Sequence, residues 1–262
     1  MKRWKNTGKH LEPLAVVLFL LLVWEALVRW KSLPVWLLPG PWQIGKTVIR
    51  VFPVLWEHAK ITVLESIVGF GLAVMLGVLT AVVMDEVSFL KRALYPILIA
   101  SQTVPIVSVA PLFILWFGYG ILPKVMVVIL VCFFPVALSL MAGLAGVDPD
   151  YIELFRSMKA REKDVLLMVK LPLAMPSFFS GLRIAATYAV MGAVIGEWLG
   201  AKSGLGVYMT VSQHSFQVDR VFAAILAITV LSMGLVWLIH LVERLALPWM
   251  YLTPSDWEGW EG

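Results

Sequence analysis

The chain has 262 residues, 60% of them hydrophobic and only 15% charged, with a mean hydropathy of +0.88. A soluble domain of that size carries about a quarter of its residues as charge, so the deficit excludes a wholly water-facing surface and makes a bilayer the solvent. Net charge is +4, but the basic residues fall between apolar segments, which fits membrane orientation and not nucleic-acid binding.

The single cysteine, Cys132, excludes an intrachain disulfide and a cysteine-based metal site. His10, His58, His214 and His240 are too scattered for metal-ligand spacing and read as loop or helix-end residues, so neither a metal nor a cofactor is expected. Twelve tryptophans suit a chain with two membrane interfaces, where an indole ring is favoured.

Apolar runs occur at residues 13–28, 67–84, 93–117, 125–143, 181–199 and 221–245. They are long enough to cross ~30 Å of hydrocarbon as helices. The runs are continuous and do not alternate, which selects helices over a barrel. The expected fold class is therefore an all-α polytopic membrane protein with about six transmembrane helices. The first run follows Lys2, Arg3, Lys5 and Lys9 and lacks a small-residue cleavage site, the pattern of a retained anchor.

This pattern predicts an N-terminus at 1–12, a first helix at 13–30 and a connecting segment at 31–66. Helices two to four follow within 67–147, a loop at 148–172, helices five and six within 173–246, and a tail at 247–262. The excess of Lys and Arg on the N-terminal side, including Arg92, Arg156, Lys163 and Arg183, over a set that includes Lys46, Arg50, Lys60 and Lys124 places both termini and the 148–172 loop in the cytoplasm. The connecting segment is then external.

Pro96, Pro105 and Pro111 in the third run and Pro135 in the fourth predict kinks, because a proline frees a carbonyl and bends a helix. In the fifth run Gly192, Gly196 and Gly200 recur every fourth residue and predict one face open to a close helix neighbour. Among acids in or near the runs, Glu197 is the candidate pathway or gate group, with Gln102 from the kinked third run and Met191. Glu25 and Glu65 read as interfacial.

Two segments imitate a nucleotide site. Gly40 to Thr47 matches the phosphate-loop pattern letter for letter, and Val82 to Glu86 imitates a strand ending in a metal-binding acid. Pro34 and Pro39 argue against a central strand before the first, and Pro41 removes a donor from the cradle. The second ends a transmembrane run. An ATP site on this chain is not expected.

The stretch from Asp148 to Lys170 is the most charged of the chain. Asp150 is placed to cap a helix starting near Tyr151, with Leu154, Phe155 and Met158 forming an apolar ridge beside Glu153, Arg156 and Lys159. Glu153-Leu154-Phe155, Lys159 and Val169-Lys170-Leu171-Pro172 resemble the EAA loop of binding-protein-dependent ABC transporter permeases, E-A-A-x-x-x-G-x9-I-x-L-P. Glu153, Leu171 and Pro172 match in register. Leu154 and Phe155 replace the alanines, and Lys159 replaces a glycine that permits a left-handed turn.

The resemblance extends over Leu38-Pro39-Gly40-Pro41, which looks like the family's LPSP entry, and over Ser101 to Ile106 with Ala110 to Phe113 and Trp116 to Gly120, which resemble the nitrate/sulfonate/taurine branch. Val190 to Gly200 followed by Gly204-Leu205-Gly206 looks most like permeases for thiamine-precursor pyrimidines.

The resemblance implies a type I importer architecture. Its partners are a cytoplasmic ATP-binding subunit, an external substrate-binding protein and a second permease copy, most simply a homodimer in membrane lipid. It implies ATPase coupling through Glu153, Leu154, Phe155, Arg156, Met158, Lys159, Leu171 and Pro172. The implied cargo is a pyrimidine of the formylaminopyrimidine or hydroxymethylpyrimidine type, with alkanesulfonate, taurine or nitrate as alternatives. A secondary transporter would need a relay of acids at mid-membrane, and a membrane enzyme a His or Asp cluster.

Overall fold

The computed structural model describes residues 5–250. The first four residues and those beyond Met250, expected in the cytoplasm, lie outside the described residues. Ten α-helices follow one another: α1 Lys5–Trp30, α2 Pro41–Glu86, α3 Ser88–Ser101, α4 Ile106–Phe117, α5 Ile121–Ala145, α6 Pro149–Ser157, α7 Glu162–Val165, α8 Leu171–Trp198, α9 Leu205–His214 and α10 Val218–Ala246. A π-helical turn, Leu166–Lys170, joins α7 to α8. No strand occurs among the described residues.

Among the described residues, four helical stretches are long and apolar enough to span a membrane, and α3 with α4 forms a fifth, bent element. The predicted first run falls on α1. The second helix departs from expectation, starting at Pro41 and not at residue 67. Its 46 residues extend about 69 Å, twice the hydrocarbon thickness. Gly40 precedes it and Pro41 occupies its first turn, where a missing N–H costs nothing. Its first half is amphipathic: Ile44, Thr47, Val51, Leu55 and Ala59 are buried, and this stripe packs with Leu205 and Tyr208 of α9 and Ala223 and Ala224 of α10.

The second half of α2 buries Thr62, Ser66, Gly69, Ala73, Gly77 and Ala81, small side chains three or four apart. Lipid gives helices no hydrophobic reason to associate, so close backbone approach along such stripes supplies the contact. A Cβ on Gly69 would stand 2.5 Å from Val128 Cβ, and one on Gly77 would stand 2.9 Å from Val136 Cγ1. Both neighbours lie on α5.

Helix α8 approaches α5 in the same way, as the glycine spacing predicts. A Cβ on Gly192 would meet Val131 at 2.7 Å, and one on Gly196 would meet Lys124 Cα at 2.9 Å. Gly200 lies past the helix end, in a turn with φ 140°. Helix α5 thus sits at the centre, with Val128, Val131, Cys132 and Val136 against Ala73 of α2 and Ala185, Ala186, Ala189 and Ala193 of α8.

The third predicted span is not a kinked single helix. Helices α3 and α4 meet at 101° across residues 102–105. Pro105 caps α4, and its ring disfavours helical backbone in the residue before it, so the chain turns where a merely kinked helix was expected.

Candidate functional site

Helix α6 occupies the resembling loop. Its cap is Asp148, not Asp150: Asp148 Oδ1 accepts from Asp150 N at 3.0 Å, and Pro149 supplies the first helical residue. Proline's fixed φ suits that position, which moves the cap forward by two residues. Tyr151, Leu154 and Met158 form an exposed ridge, and Met158 is 71% accessible. Phe155, expected in that ridge, is half-buried, while Glu153 and Arg156 stand exposed beside it.

The turn after α6 keeps the left-handed form that the family's glycine would permit, with Lys159 at φ 61°. An exposed fork closes across it: Arg156 Nε donates to Glu162 Oε1 at 2.9 Å and Nη2 to Oε2 at 3.0 Å. The hydrogen bond from Arg156 holds the Glu162 carboxyl below its usual pKa, and the same bond raises that of Arg156. Beyond it the chain is helical from Glu162 to Trp198, so Leu171 and Pro172 lie within one rod and do not bound a loop. The π turn before Pro172 widens the backbone where proline lacks a donor and would crowd the preceding turn.

The two nucleotide-like segments have other uses. The N-terminus of α2 takes a carboxylate: Glu25 of α1 accepts from Trp42 N at 3.1 Å and from Arg29 Nε at 2.7 Å, so Glu25 joins two helices. Lys46 lies over the Trp42 ring, and Thr47 Oγ1 donates to Asp219 Oδ2 at 2.7 Å. In the second segment Asp85 accepts from Lys170 Nζ at 2.8 Å, tying the end of α2 to the base of α8.

Glu197 is buried and does not meet Gln102. Its Oε1 accepts from Thr62 Oγ1 and its Oε2 from Gly206 N, both at 2.6 Å. Thr62 Oγ1 in turn accepts from Leu205 N at 2.9 Å, and His58 Nδ1 accepts from Gly204 N at 3.0 Å. Gly204 has φ 127°, and a Cβ there would strike the Glu197 carboxyl. The group therefore pins the α8–α9 turn onto α2.

Beside it, Glu65, read above as an interfacial acid, is buried between helices and paired with Lys124 Nζ at 2.5 Å. Lys124 and Arg183, counted above as loop charges, are thus helix-joining groups, since Arg183 of α8 bonds Glu243 of α10. His58, in mid-helix, and Thr62 and Lys124 were not anticipated. Their signal in the sequence is a polar residue recurring beside small ones on a helical face.

Gln102 and Met191 do come together. They line a cavity of about 380 Å³ at the α3–α4 break, with Ser101, Phe113, Phe134 and Tyr188 among its other walls. Among the described residues no cluster of His, Cys, Asp or Glu could hold a metal.

A bundle of membrane-spanning helices with an exposed amphipathic helix and a cavity at a helix break fits a multi-pass transport component. Residues 73–247 match the model of the binding-protein-dependent transport system inner membrane component family, and the chain belongs to that family. It is 38% identical to a formylaminopyrimidine transport permease of Halalkalibacterium halodurans over 94% of this chain and 98% of that one. It is 34% identical to a putative aliphatic sulfonates transport permease of Bacillus subtilis over 74% and 71%.

A crystal structure described as an amino acid ABC transporter with histidines shares the fold, with TM-score 0.62 and 17% identity, covering 76% of this chain and 96% of that one. The chain is the permease subunit of an ABC transporter in the cell membrane, a non-catalytic component. Membership implies a separate ATP-binding subunit and a substrate-binding protein.

Proposed function

We propose that this chain forms the translocation path of an importer for a thiamine-precursor pyrimidine, working as a homodimer with its ATP-binding subunits on the side of α6. The 38% identity to a formylaminopyrimidine permease supports that cargo, and the sulfonate relative keeps alkanesulfonate, taurine or nitrate as the second reading. The mechanical part rests on one observation: the ridge of Tyr151, Leu154 and Met158 is bare at the tip of a helix held to the bundle through a turn.

In this reading the ridge seats in a groove of the ATP-binding subunit, with Glu153, Phe155, Arg156 and Lys159 around it. Closure of the ATPase pair pushes α6. The Arg156–Glu162 fork passes that displacement to the rod from Glu162 to Trp198, about 55 Å long, and the Lys170–Asp85 pair passes it to α2. ATP shifts the two-state equilibrium only if the seat binds α6 differently in the two states. Gln102 and Met191 then face the path. Cells lacking their own uptake route, supplied with this chain and its partners, should accumulate formylaminopyrimidine. Accumulation of an alkanesulfonate in its place would reassign the cargo.

A further inference from the structure

We propose that the cavity at the α3–α4 break is itself a charge filter that accepts a neutral planar heteroaromatic ring and rejects an anion. This rests on the pyrimidine reading above and adds a second selection step inside the membrane chain, after delivery by the binding protein.

The lining carries the argument. Phe113, Phe134 and Tyr188 offer aromatic surface, Gln102 brings an amide, and Ser101, whose hydroxyl donates to Ile97 O at 2.8 Å, keeps only its acceptor capacity. None of the lining residues bears a formal charge. On two of the wall helices the bases are committed, Lys124 of α5 to Glu65 and Arg183 of α8 to Glu243, while Lys91 and Arg92 of α3 stand about 13 Å or more along the helix from Ser101. The lining is predominantly apolar, so an alkanesulfonate, ionised at every physiological pH, would give up water there without gaining a counter-charge.

The helix ends do not supply one. The carboxyl end of α3 and the amino end of α4 meet at the same break, so their partial charges, opposite in sign, largely cancel. What the break offers is donors and acceptors side by side, together with the Gln102 amide. Such an edge suits a ring that both donates and accepts. The volume, about 380 Å³, lies in the range of small-molecule sites.

The test is equilibrium binding to the permease with its ATP-binding subunit in lipid nanodiscs, without the binding protein. The probes are radiolabelled formylaminopyrimidine and butanesulfonate. The ring compound should bind at least about tenfold more tightly than the sulfonate. Gln102→Ala should weaken it roughly three- to tenfold with the melting temperature unchanged. Met191→Lys, on an exposed position of α8, should narrow or reverse the preference.

Equal binding of both probes overturns the filter, as does a ratio that neither variant moves. If cells accumulate the pyrimidine while the cavity binds both probes alike, the filter alone falls. If the cavity rejects butanesulfonate but cells do not accumulate the pyrimidine, the cargo reading alone falls.

Discussion

Lys124→Met isolates the energetics of the buried ion pair. Glu65 is 1% accessible and Lys124 8%, their charged atoms are 2.5 Å apart, and Glu65 Oε2 has no partner among the described residues. Methionine keeps the apolar stem of lysine and removes only the ammonium. The carboxylate is then left without its counter-charge in a helix-lined interior, a loss of about 3–5 kcal/mol. For a chain of this length each kcal/mol moves the melting temperature by roughly 2–4 °C, so the fall should be on the order of 10 °C.

Thermal unfolding of the detergent-purified chain, followed by tryptophan fluorescence, measures it. Glu65→Gln combined with Lys124→Met removes both charges and should recover most of the loss, because a neutral amide needs no counter-ion. Melting of Lys124→Met within about 2 °C of the unaltered chain would refute the reasoning. So would a double variant as unstable as the single one, since the charge of Glu65 would then not be the source of the loss.

Glu153→Lys should reduce uptake and stimulated ATP hydrolysis together while leaving membrane insertion intact, measured in proteoliposomes. Normal uptake would remove α6 from the mechanism. Lys159→Gly should relieve about 1–2 kcal/mol of left-handed strain and slow chymotryptic cleavage at Phe155, whereas Lys159→Val should accelerate it. The Arg156–Glu162 fork has a lowered carboxyl pKa, so its contribution is fully present above the ordinary glutamate value of 4.5 and is lost as pH falls through the lowered one. A carbon-13 NMR titration of the Glu162 carboxyl should give a midpoint below 4.5 that rises toward it in Arg156→Ala.

How much of this was legible depends on which physical constraint wrote each feature. Continuous apolar runs appear wherever backbone meets lipid, so the later spans and the class of the chain follow directly from the sequence. The Gly192 and Gly196 spacing is equally direct, because only a side-chain-free face admits Val131 and Lys124 Cα so closely. The early start of α2 was hidden by its own amphipathicity. Lys46, Arg50, Glu57 and Lys60 stand on its exposed face and interrupt any apolar run, although Ile44, Val51 and Leu55 keep helical spacing.

The buried pairs were illegible for a different reason. Glu65 meets Lys124 across 59 positions, and Thr62 meets Glu197 across 135, so nothing local states which acid finds which base. An acid in an apolar run is, taken alone, equally a gate or a fastening. Glu197 has each oxygen engaged by a donor from another segment, Thr62 Oγ1 and Gly206 N, which makes it a fastening of the α8–α9 turn in this structure. Gln102, whose amide has no such partner among the described residues, lines the cavity at the helix break, and the path is therefore sought there first.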